Sequence, residues 1–537
     1  MTDPRNPAQP APAAAAAAAS SAAASATPAT AATSAAASSA APPAAAATTS
    51  QAAPKKPPPW GLYAAAVVLI AILALPLPED LPVAGHRMLA ILAFAIVVWI
   101  TEAVSYETSA IMITSLMAAL IGFAPTVADP ATQYGTSRAL GMALAGFSNT
   151  ALALVAAALF ISAAMTVTGL DRRIALVTLS AIGTSTRRIL IGSIAVTIAL
   201  SLVVPSATAR SACVVPIMMG VIAAFGVDRK SNIAAGIMIT VAQATSIWNV
   251  GIQTAAAQNL LTIGFMDKLL GERITWLQWL IAGAPWAVAM SAVLYFLVRF
   301  LLPAESEAIP GGKEAVQREL AGLGPMSGPQ KRLAAVSVGL LLFWATEGKL
   351  HQFDTATVTF VGLVILMMPR IGVMDWKTMQ QRTPWGTLIV FGVGISLGTA
   401  LLTTQAGQWL GKFVVTHSGL ATEGPILVFA ILAAFLILIH LGFASATALT
   451  AALLPILISV LQTLPGDINK IGLTMLLGYT VSFGFILPIN APQNMVCLGT
   501  DTFNGRQFAR IGIPVTVIGY AMMLLFAATY WRWLGWI

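Results

Sequence analysis

The chain has 537 residues, of which 58% are hydrophobic and only 9% are charged, and its formal net charge is +8 at pH 7. A soluble globule of this composition would expose far too much apolar surface, so most of the chain is predicted to lie in a lipid bilayer. The basic residues are scattered in short loops, where they orient spans and do not form a nucleic-acid surface. Four histidines without H-E-x-x-H spacing and no phosphate-binding loop argue against an enzyme, a cofactor and an ATP-driven pump.

Residues 1–59 differ from the rest because they consist of Ala, Ser, Thr and Pro runs with almost no large apolar side chain. Such a segment cannot bury enough surface to offset the entropy of ordering, and it lacks the Leu-rich core of a signal peptide. The composition predicts a disordered cytoplasmic tail, with a transient Ala-rich helix as the alternative.

From Trp60 onward, apolar runs alternate with short charged loops, which predicts an all-α polytopic membrane protein. Eleven spans are predicted, at residues 60–78, 84–103, 106–124, 147–169, 231–263, 278–302, 331–347, 354–369, 384–410, 472–500 and 509–531. Two further apolar segments, 186–226 and 424–462, are predicted to be re-entrant hairpins. Arg188 lies at the start of the first segment and Arg229 follows it, so both ends of this hairpin are expected in the cytoplasm.

Basic residues are concentrated on one side of the predicted spans, which places the N-terminus in the cytoplasm and the protein in the inner (plasma) membrane of the cell. A first transmembrane half is predicted at 60–302, with spans 1–6 and the first hairpin. A second half is predicted at 331–537, with spans 7–11 and the second hairpin, and 303–330 is a cytoplasmic linker.

A sequence repeat relates the two halves. Ser206-Ala207-Thr208 in the first hairpin recurs 239 residues later as Ser445-Ala446-Thr447 in the second. Three further pairs keep the same order, namely Trp99 and Trp344, Gln258-Asn259 and Gln493-Asn494, and Gly283 and Gly512. Because the two repeated units, spans 2–6 and spans 7–11, each contain five crossings, an odd number, the repeat is predicted to be inverted, with the two hairpins meeting near the midplane.

The repeated tripeptides are candidate substrate-binding sites. A Ser or Thr at a hairpin tip can cap the outgoing half-helix, whose free N–H groups and positive dipole end attract an anion. The residues predicted to bind the substrate are Ser206, Ala207, Thr208, Ser445, Ala446, Thr447, Asn490, Ala491 and Pro492. The alternative is that small residues at these tips only permit close helix packing.

Spans five and ten are predicted to be interrupted near the hairpin tips. Polar amides and prolines at mid-membrane depth are tolerated where the backbone lines a cavity, and span ten is predicted to be unwound at 488–492. Asn249, Asn259 and Asn494 are candidates for contacting a cation or for supporting the site. Interhelical hydrogen bonding alone is the alternative.

Together these motifs resemble the divalent anion:sodium symporters, a family of dicarboxylate, citrate and sulfate carriers. The residues that carry the resemblance are 99–102, 169–176, 323–327, 375–377, 384–386 and 485–494. The resemblance covers the chain after residue 60 and implies a homodimer with a static scaffold and an elevator-like transport domain, built from the hairpins and spans five, six, ten and eleven. It implies alternating-access transport of di- or tricarboxylates. Sulfate or another oxyanion is the alternative substrate, and an anion channel is the alternative of another class.

The chain departs from this family at the residues that hold sodium. Sodium-coupled members resemble one another in having Asn at the tips and a hydroxyl upstream, whereas this chain has Ala207 and Ala446, with Leu202 and Leu441 upstream. Because sodium requires several oxygen ligands, its sites are depleted here, although amides of the broken spans could restore some oxygens. The sequence therefore favours an exchanger or a proton-coupled carrier, with sodium coupling as the alternative.

Arg210, one turn beyond the first tip, is the candidate counter-charge for the anion, since a cation at this depth is costly unless it is paired or hydrated. Its mate in the repeat is the neutral Leu449, and the alternative is an Arg that extends to the cytoplasmic surface. His440 could carry protons, with helix packing as the alternative. The tripeptide 148–150 reads Ser-Asn-Thr like the family motif, but it begins span four, so no binding role is assigned to it.

Overall fold

The computed structural model describes residues 59–182, 185–224, 226–305 and 312–537, so that the predicted tail at 1–59 lies almost wholly outside the described residues. The helices are α1 (Pro59–Ala74), α2 (Val83–Thr101), α3 (Tyr106–Leu116), α4 (Thr136–Leu144), α5 (Thr150–Thr168), α6 (Leu170–Ile182), α7 (Thr186–Val203), α8 (Ala207–Ala224), α9 (Asn232–Gly251), α10 (Ala257–Phe265), α11 (Trp276–Leu301), α12 (Gly312–Gly322), α13 (Gly328–Thr346), α14 (Thr355–Met367), α15 (Trp376–Arg382), α16 (Trp385–Thr403), α17 (Ala406–Ser418), α18 (Pro425–His440), α19 (Ala446–Thr463), α20 (Lys470–Thr480), α21 (Pro492–Leu498), α22 (Gly505–Ala528) and α23 (Tyr530–Trp533). Extended pairing in these ranges is confined to two isolated bridges, so the all-α prediction is confirmed.

Among the described residues, nine helical segments of at least 18 residues are long and apolar enough to cross a bilayer. They comprise α2, α5, α7, α8, α9, α11, α16, α19 and the segment formed by α22 and α23. Shorter apolar helices occur at Trp60–Ala74, Tyr106–Ile121, Thr355–Met367 and Pro425–His440. These helices confirm a multi-pass membrane protein, while the count of eleven crossings stays a prediction.

Helix order repeats along the chain. The ten helices α2–α11 are followed, after the linker helix α12, by ten helices α13–α22 in which long and short elements come in the same order. In both series a long helix (α5, α16) precedes a 13-residue helix (α6, α17), and two helices joined by a short turn come next. The sequence repeat therefore corresponds to a repeat of secondary structure.

The structure corrects several predicted boundaries. The span predicted at 384–410 is divided into α16 and α17, because Gln405 adopts the left-handed conformation with φ 59° and turns the chain. The break predicted at 488–492 is wider, since α20 ends at Thr480 and α21 begins only at Pro492. The short helices α4, α6, α12 and α15 were absent from the prediction because hydropathy alone does not identify helices of this length.

The two hairpins, α7–α8 and α18–α19, pack against two broken helices, α9–α10 and α20–α21. α9 packs against both helices of the first hairpin, α7 and α8, and against α11. α20 packs in the same way against α18 and α19 of the second hairpin. The distal pieces cross over, because α10 contacts α19 and α21 contacts α8. Each hairpin is therefore held by one piece of each broken helix.

Candidate functional site

The first hairpin tip is the turn between α7 and α8. Ser206 lies directly before α8, and its Oγ accepts a hydrogen bond from the backbone N–H of Ala209 at 3.3 Å. The Ser206 carbonyl accepts the N–H of Arg210 at 3.0 Å, which closes the first helical turn. Ser206 and Ala207 are half-buried and Thr208 is exposed. The predicted tripeptide thus forms a capped helix N-terminus, the arrangement that favours an anion.

The second tip repeats this geometry. Ser445 precedes α19, and its Oγ accepts the N–H of Ala448, again at 3.3 Å. Ser445, Ala446 and Thr447 are all half-buried. The side chain of Tyr106 of α3 lies beside Ser445, so the second tip also adjoins the first half of the chain, which the sequence did not indicate.

Asn259 and Asn494, which are equivalent in the repeat, form hydrogen bonds across the breaks in the two broken helices. Asn259 Nδ2 donates to the carbonyl of Asn249 at 2.6 Å and also to the carbonyls of residues 252 and 253. Asn494 Nδ2 donates to the carbonyl of Gly484 at 2.8 Å, ten residues upstream as in the first case. The Oδ1 atoms of Asn259 and Asn494 are buried without a hydrogen-bond partner. Each break therefore contains one free, buried amide oxygen.

Reciprocal hydrogen bonds join the two broken helices to each other. Gln258 Nε2 donates to the hydroxyl of Ser482 at 3.3 Å, and Gln493 Nε2 donates to the hydroxyl of Ser246 at 3.0 Å. Gln258 and Gln493 are repeat mates 235 residues apart, and their acceptors are 236 residues apart. Each half therefore gives and receives the same bond, as expected for two equivalent units.

The same relation governs close packing around the breaks. A Cβ atom at Gly283 of α11 would lie 2.5 Å from the carbonyl oxygen of Val250, and one at Gly512 of α22 would overlap the carbonyl oxygen of Phe485. Val250 and Phe485 are again 235 residues apart. The glycines singled out by the repeat therefore let α11 and α22 approach the backbone where the helices break.

Arg210 is fully buried one turn beyond the first tip. Its Nη2 donates to Oδ1 of Asn249 at 2.5 Å and to the carbonyl of Thr245 at 3.5 Å, both on α9. Its Nε and Nη1 are buried without a partner, and within the described ranges no carboxylate forms a salt bridge with it. The site thus contains a buried positive charge that is only partly neutralised by hydrogen bonds.

The equivalent region of the second hairpin has no such charge. Leu449 occupies the position of Arg210 and is fully buried. Asn490, from the break in α20–α21, donates through Nδ2 to the carbonyl of His440 at 2.8 Å and accepts the N–H of Leu487 at 3.2 Å. His440 Nε2 lies 3.2 Å from the carbonyl of Asn490. The polar groups of Asn490 are thus engaged within the protein, while Ala491 is buried and Pro492 is exposed.

The described residues offer only part of a sodium site. No cluster of three or more His, Cys, Asp or Glu side chains able to hold a metal occurs among them. The free amide oxygens of Asn259 and Asn494 fit a monovalent cation, but the oxygens of Asn249 and Asn490 already accept hydrogen bonds from Arg210 and Leu487. Sodium normally requires more oxygens than a single amide supplies.

The Ser-Asn-Thr tripeptide at 148–150 has a structural role. Asn149 precedes α5, and its Oδ1 accepts the N–H of Ala151 at 2.7 Å. This bond caps the helix N-terminus. Its amide oxygen therefore stabilises the start of α5.

Two helical hairpins, two broken helices and a buried charge beside a capped tip define a multi-pass membrane transporter. The model of the sodium:sulfate symporter transmembrane region matches residues 57–537. The chain therefore belongs to the sodium:sulfate symporter family, as the resemblance in its motifs predicted, and its relatives are transporters and not enzymes.

Individual relatives cover most of the chain. It is 90% identical over 478 residues to a "membrane protein" of Cupriavidus necator, which covers 89% of this chain and 93% of that one. It is 24% identical to the sodium-dependent dicarboxylate transporter SdcS of Staphylococcus saprophyticus, over 87% of this chain and 90% of the relative. The L-tartrate/succinate antiporter of Escherichia coli K12 is 26% identical, over 88% and 98%.

A solved structure shares the fold. The Alcanivorax borkumensis YdaH transporter superposes with a TM-score of 0.52 at 13% identity, covering 79% of this chain and 97% of that one. At this identity the likeness concerns architecture alone.

Proposed function

We propose that the chain is a secondary carrier of small anions, with di- and tricarboxylates as its substrates. The observation that carries this proposal is the buried guanidinium of Arg210, which has two unpartnered nitrogens beside the capped tip of α8. Relatives named for dicarboxylate transport and for tartrate/succinate exchange support the carboxylate class. Sulfate is the second candidate, because the matching family is described by sodium:sulfate symport.

Electrostatics explains why an anion is the expected ligand. A buried charge is costly unless it is paired and fully hydrogen-bonded. The bonds from Arg210 to α9 satisfy one of its three nitrogens. A carboxylate can accept two parallel N–H bonds from one guanidinium, so the free nitrogens match this group.

The remaining ligand contacts come from the helix N-termini. Ser206 and Ser445 cap α8 and α19, which leaves the other first-turn N–H groups and the hydroxyls of Thr208 and Thr447 for the substrate. Ala207 and Ala446 leave room for a ligand to approach the backbone. Because both polar ends of the Asn490 amide are engaged, we expect it to shape the site, with Ala491 and Pro492 adjoining the ligand.

Transport is proposed to proceed by alternating access in an inner-membrane homodimer with a cytoplasmic N-terminus. The reciprocal bonds between the broken helices support an inverted repeat and a transport domain that moves as one body. The coupling ion is proposed to be absent or to be a proton, because sodium would find few free amide oxygens, namely that of Asn259 at the first break and those of Asn494 and the adjoining Gln243 at the second.

Counterflow in proteoliposomes tests the proposal. Vesicles preloaded with unlabelled succinate should take up labelled succinate in a saturable manner, with uptake unchanged when sodium is replaced by choline. Sulfate loading should drive less uptake than succinate loading. Uptake that needs an inward sodium gradient would refute the coupling proposal, and flux without counterflow would indicate a channel.

A further inference from the structure

The side-chain amide of Asn490 lies among backbone carbonyls at the turn of the second hairpin. Its Nδ2 is 2.8 Å from the oxygen of His440, 3.3 Å from that of Leu441 and 3.1 Å from that of Phe443. The bond from the backbone N–H of Leu487 to Oδ1 fixes the orientation of the amide, so that nitrogen and not oxygen faces the three carbonyls. Asn490 is only 1% exposed.

These carbonyls form a set that requires a positive partner. Two of them lie at the end of α18, where the negative end of the helix dipole is located, and the carbonyl of His440 also accepts the backbone N–H of Phe443 at 3.0 Å. Convergent carbonyl oxygens without a nearby donor are the environment in which proteins bind monovalent cations. The Asn490 amide supplies two hydrogens and the Phe443 N–H supplies a third, so the three oxygens are compensated without a free ion.

We propose that Asn490 is a built-in substitute for a cation at the second hairpin. Its amide nitrogen occupies the centre of the carbonyl set and holds the hairpin turn against the break in α20–α21, so the turn keeps its shape without a bound ion. This inference rests on the proposed carrier function, because it assigns the coupling property of that site to one residue. Asn259 makes a comparable set of bonds, but its three carbonyls belong to a single segment, whereas Asn490 joins two.

The repeat mate of Asn490 supports this assignment. Residue 255, which lies 235 positions earlier, is alanine, and there the first hairpin is joined to its broken helix by Arg210 and Asn249. In both halves a nitrogen of the chain bridges hairpin and broken helix. The donor comes from the hairpin in the first half and from the break in the second.

An isosteric variant separates a cation substitute from a simple structural contact. Asn490→Asp has the same shape but replaces the donor with an oxygen, so that three carbonyls and a carboxylate face one another. At pH 9 this variant should be unstable in choline chloride and should recover in a saturable manner with sodium or potassium chloride at equal ionic strength. Lowering the pH should remove this dependence, because a protonated carboxyl group donates a hydrogen bond again.

The experiment uses the purified full-length protein, and thermal unfolding is measured in choline, lithium, sodium and potassium chloride. The wild type should unfold at the same temperature in all four salts. Asn490→Ala, which vacates the carbonyl set, is the second variant in case the acidic variant does not fold. Gln493→Glu is the matched control, because the Gln493 amide donates to the Ser246 hydroxyl and not to carbonyls, and its destabilisation should be the same in every salt.

A sodium- or potassium-specific rise in the wild type, or no cation-specific recovery in either Asn490 variant, would overturn the inference. Stabilisation of the wild type by succinate is measured in parallel. If succinate has no effect while Asn490→Asp responds to cations, the carrier proposal fails and the role of Asn490 stands. The reverse result would remove the role of Asn490 and leave the anion site intact.

Discussion

The two hairpins share a backbone plan but differ in their chemistry. Each has a serine that caps the outgoing helix with a bond of 3.3 Å and a broken helix fastened by an asparagine. Beyond the tips the likeness ends. The first hairpin has the buried cation Arg210, and the second has Leu449 in its place and receives the neutral amide of Asn490.

The two halves therefore share their backbone geometry but not their charge. The backbone of each half must bring helix N-termini into the interior, which requires the same caps, glycines and asparagines twice. A single fixed positive charge is sufficient to attract an anion, and a second one would add a further desolvation cost. In the proposed anion site, an asymmetric ligand is therefore expected to bind with one preferred end toward Arg210.

The largest expected effect is a loss of succinate affinity when Arg210 is replaced by methionine. The same replacement at its repeat mate, Leu449, is the control. Arg210→Met should lower succinate affinity roughly tenfold to 150-fold, the value of about 1.5–3 kcal/mol for hydrogen bonds to a charged group. Leu449→Met should leave affinity unchanged. Succinate protection against thermal unfolding measures both.

The same pair tests whether Arg210 is structural. Because it removes an incompletely paired buried charge, Arg210→Met should unfold at or above the wild-type temperature in the absence of anion. A strong loss of stability together with normal succinate binding would show that Arg210 serves the fold and not the ligand.

A second prediction concerns the close approaches at the breaks. Gly512→Ala should destabilise the protein by about 1–3 kcal/mol through overpacking against the Phe485 carbonyl, and Gly283→Ala should cost less because its contact at Val250 is looser. Gly339→Ala is the control, since a Cβ there meets open space. Thermal unfolding of the three variants should rank them in that order, and equal tolerance of all three would contradict the packing described here.

A third prediction compares the caps. Ser206→Ala and Ser445→Ala should each cost about 1 kcal/mol of stability. The two losses of stability should be similar, because both caps are 3.3 Å long, whereas Ser206→Ala should weaken anion binding more because its tip adjoins Arg210. Ser206→Gly retains much of the cap preference and is the control. Identical profiles for both alanine variants would argue against unequal half-sites.

The smallest expected effect is a local loss of helix protection at α15, which corresponds in the repeat to α4. Asp375 caps α15, and its pKa is held below its usual range by hydrogen bonds from the Thr378 hydroxyl and the Thr378 N–H. The cap is therefore present at neutral pH and is lost as the pH falls through the lowered pKa. The protection factors for hydrogen exchange at the start of α15 should fall in acid, while those of α4, which follows Gly135 without a side-chain cap, should change less. Asp375→Ala should show the acid behaviour at every pH.

Much of this architecture could be predicted from the sequence, because repeats of Ser-Ala-Thr, Gln-Asn and Gly mark positions where only certain residues suit the backbone. The partners of individual side chains could not. Nothing in the sequence shows that the Asn490 nitrogen faces carbonyls, since this depends on the path of the chain between Val481 and Ala491. The length of that break was also underestimated, because its first residues are as apolar as the helix before them.

Arg210 illustrates the same limit. Its presence was evident in the sequence, but the bond to Asn249 and the two unpartnered nitrogens depend on how α8 packs against α9. Spacing along the chain does not determine such contacts. The helix α17 was missed because Gln405, a residue without special preference for the left-handed region, makes the turn that separates it from α16.

The layer of Gln258, Ser482, Gln493 and Ser246 also bears on how little the protein leaks. Each of these amides donates to a hydroxyl of the opposite half, so water entering between the broken helices would gain few new bonds. In the proposed carrier, a seam of this kind would insulate the two faces of the bilayer during transport. Removing one partner alone would leave a polar group that recruits water, and a measurable proton conductance is the expected consequence.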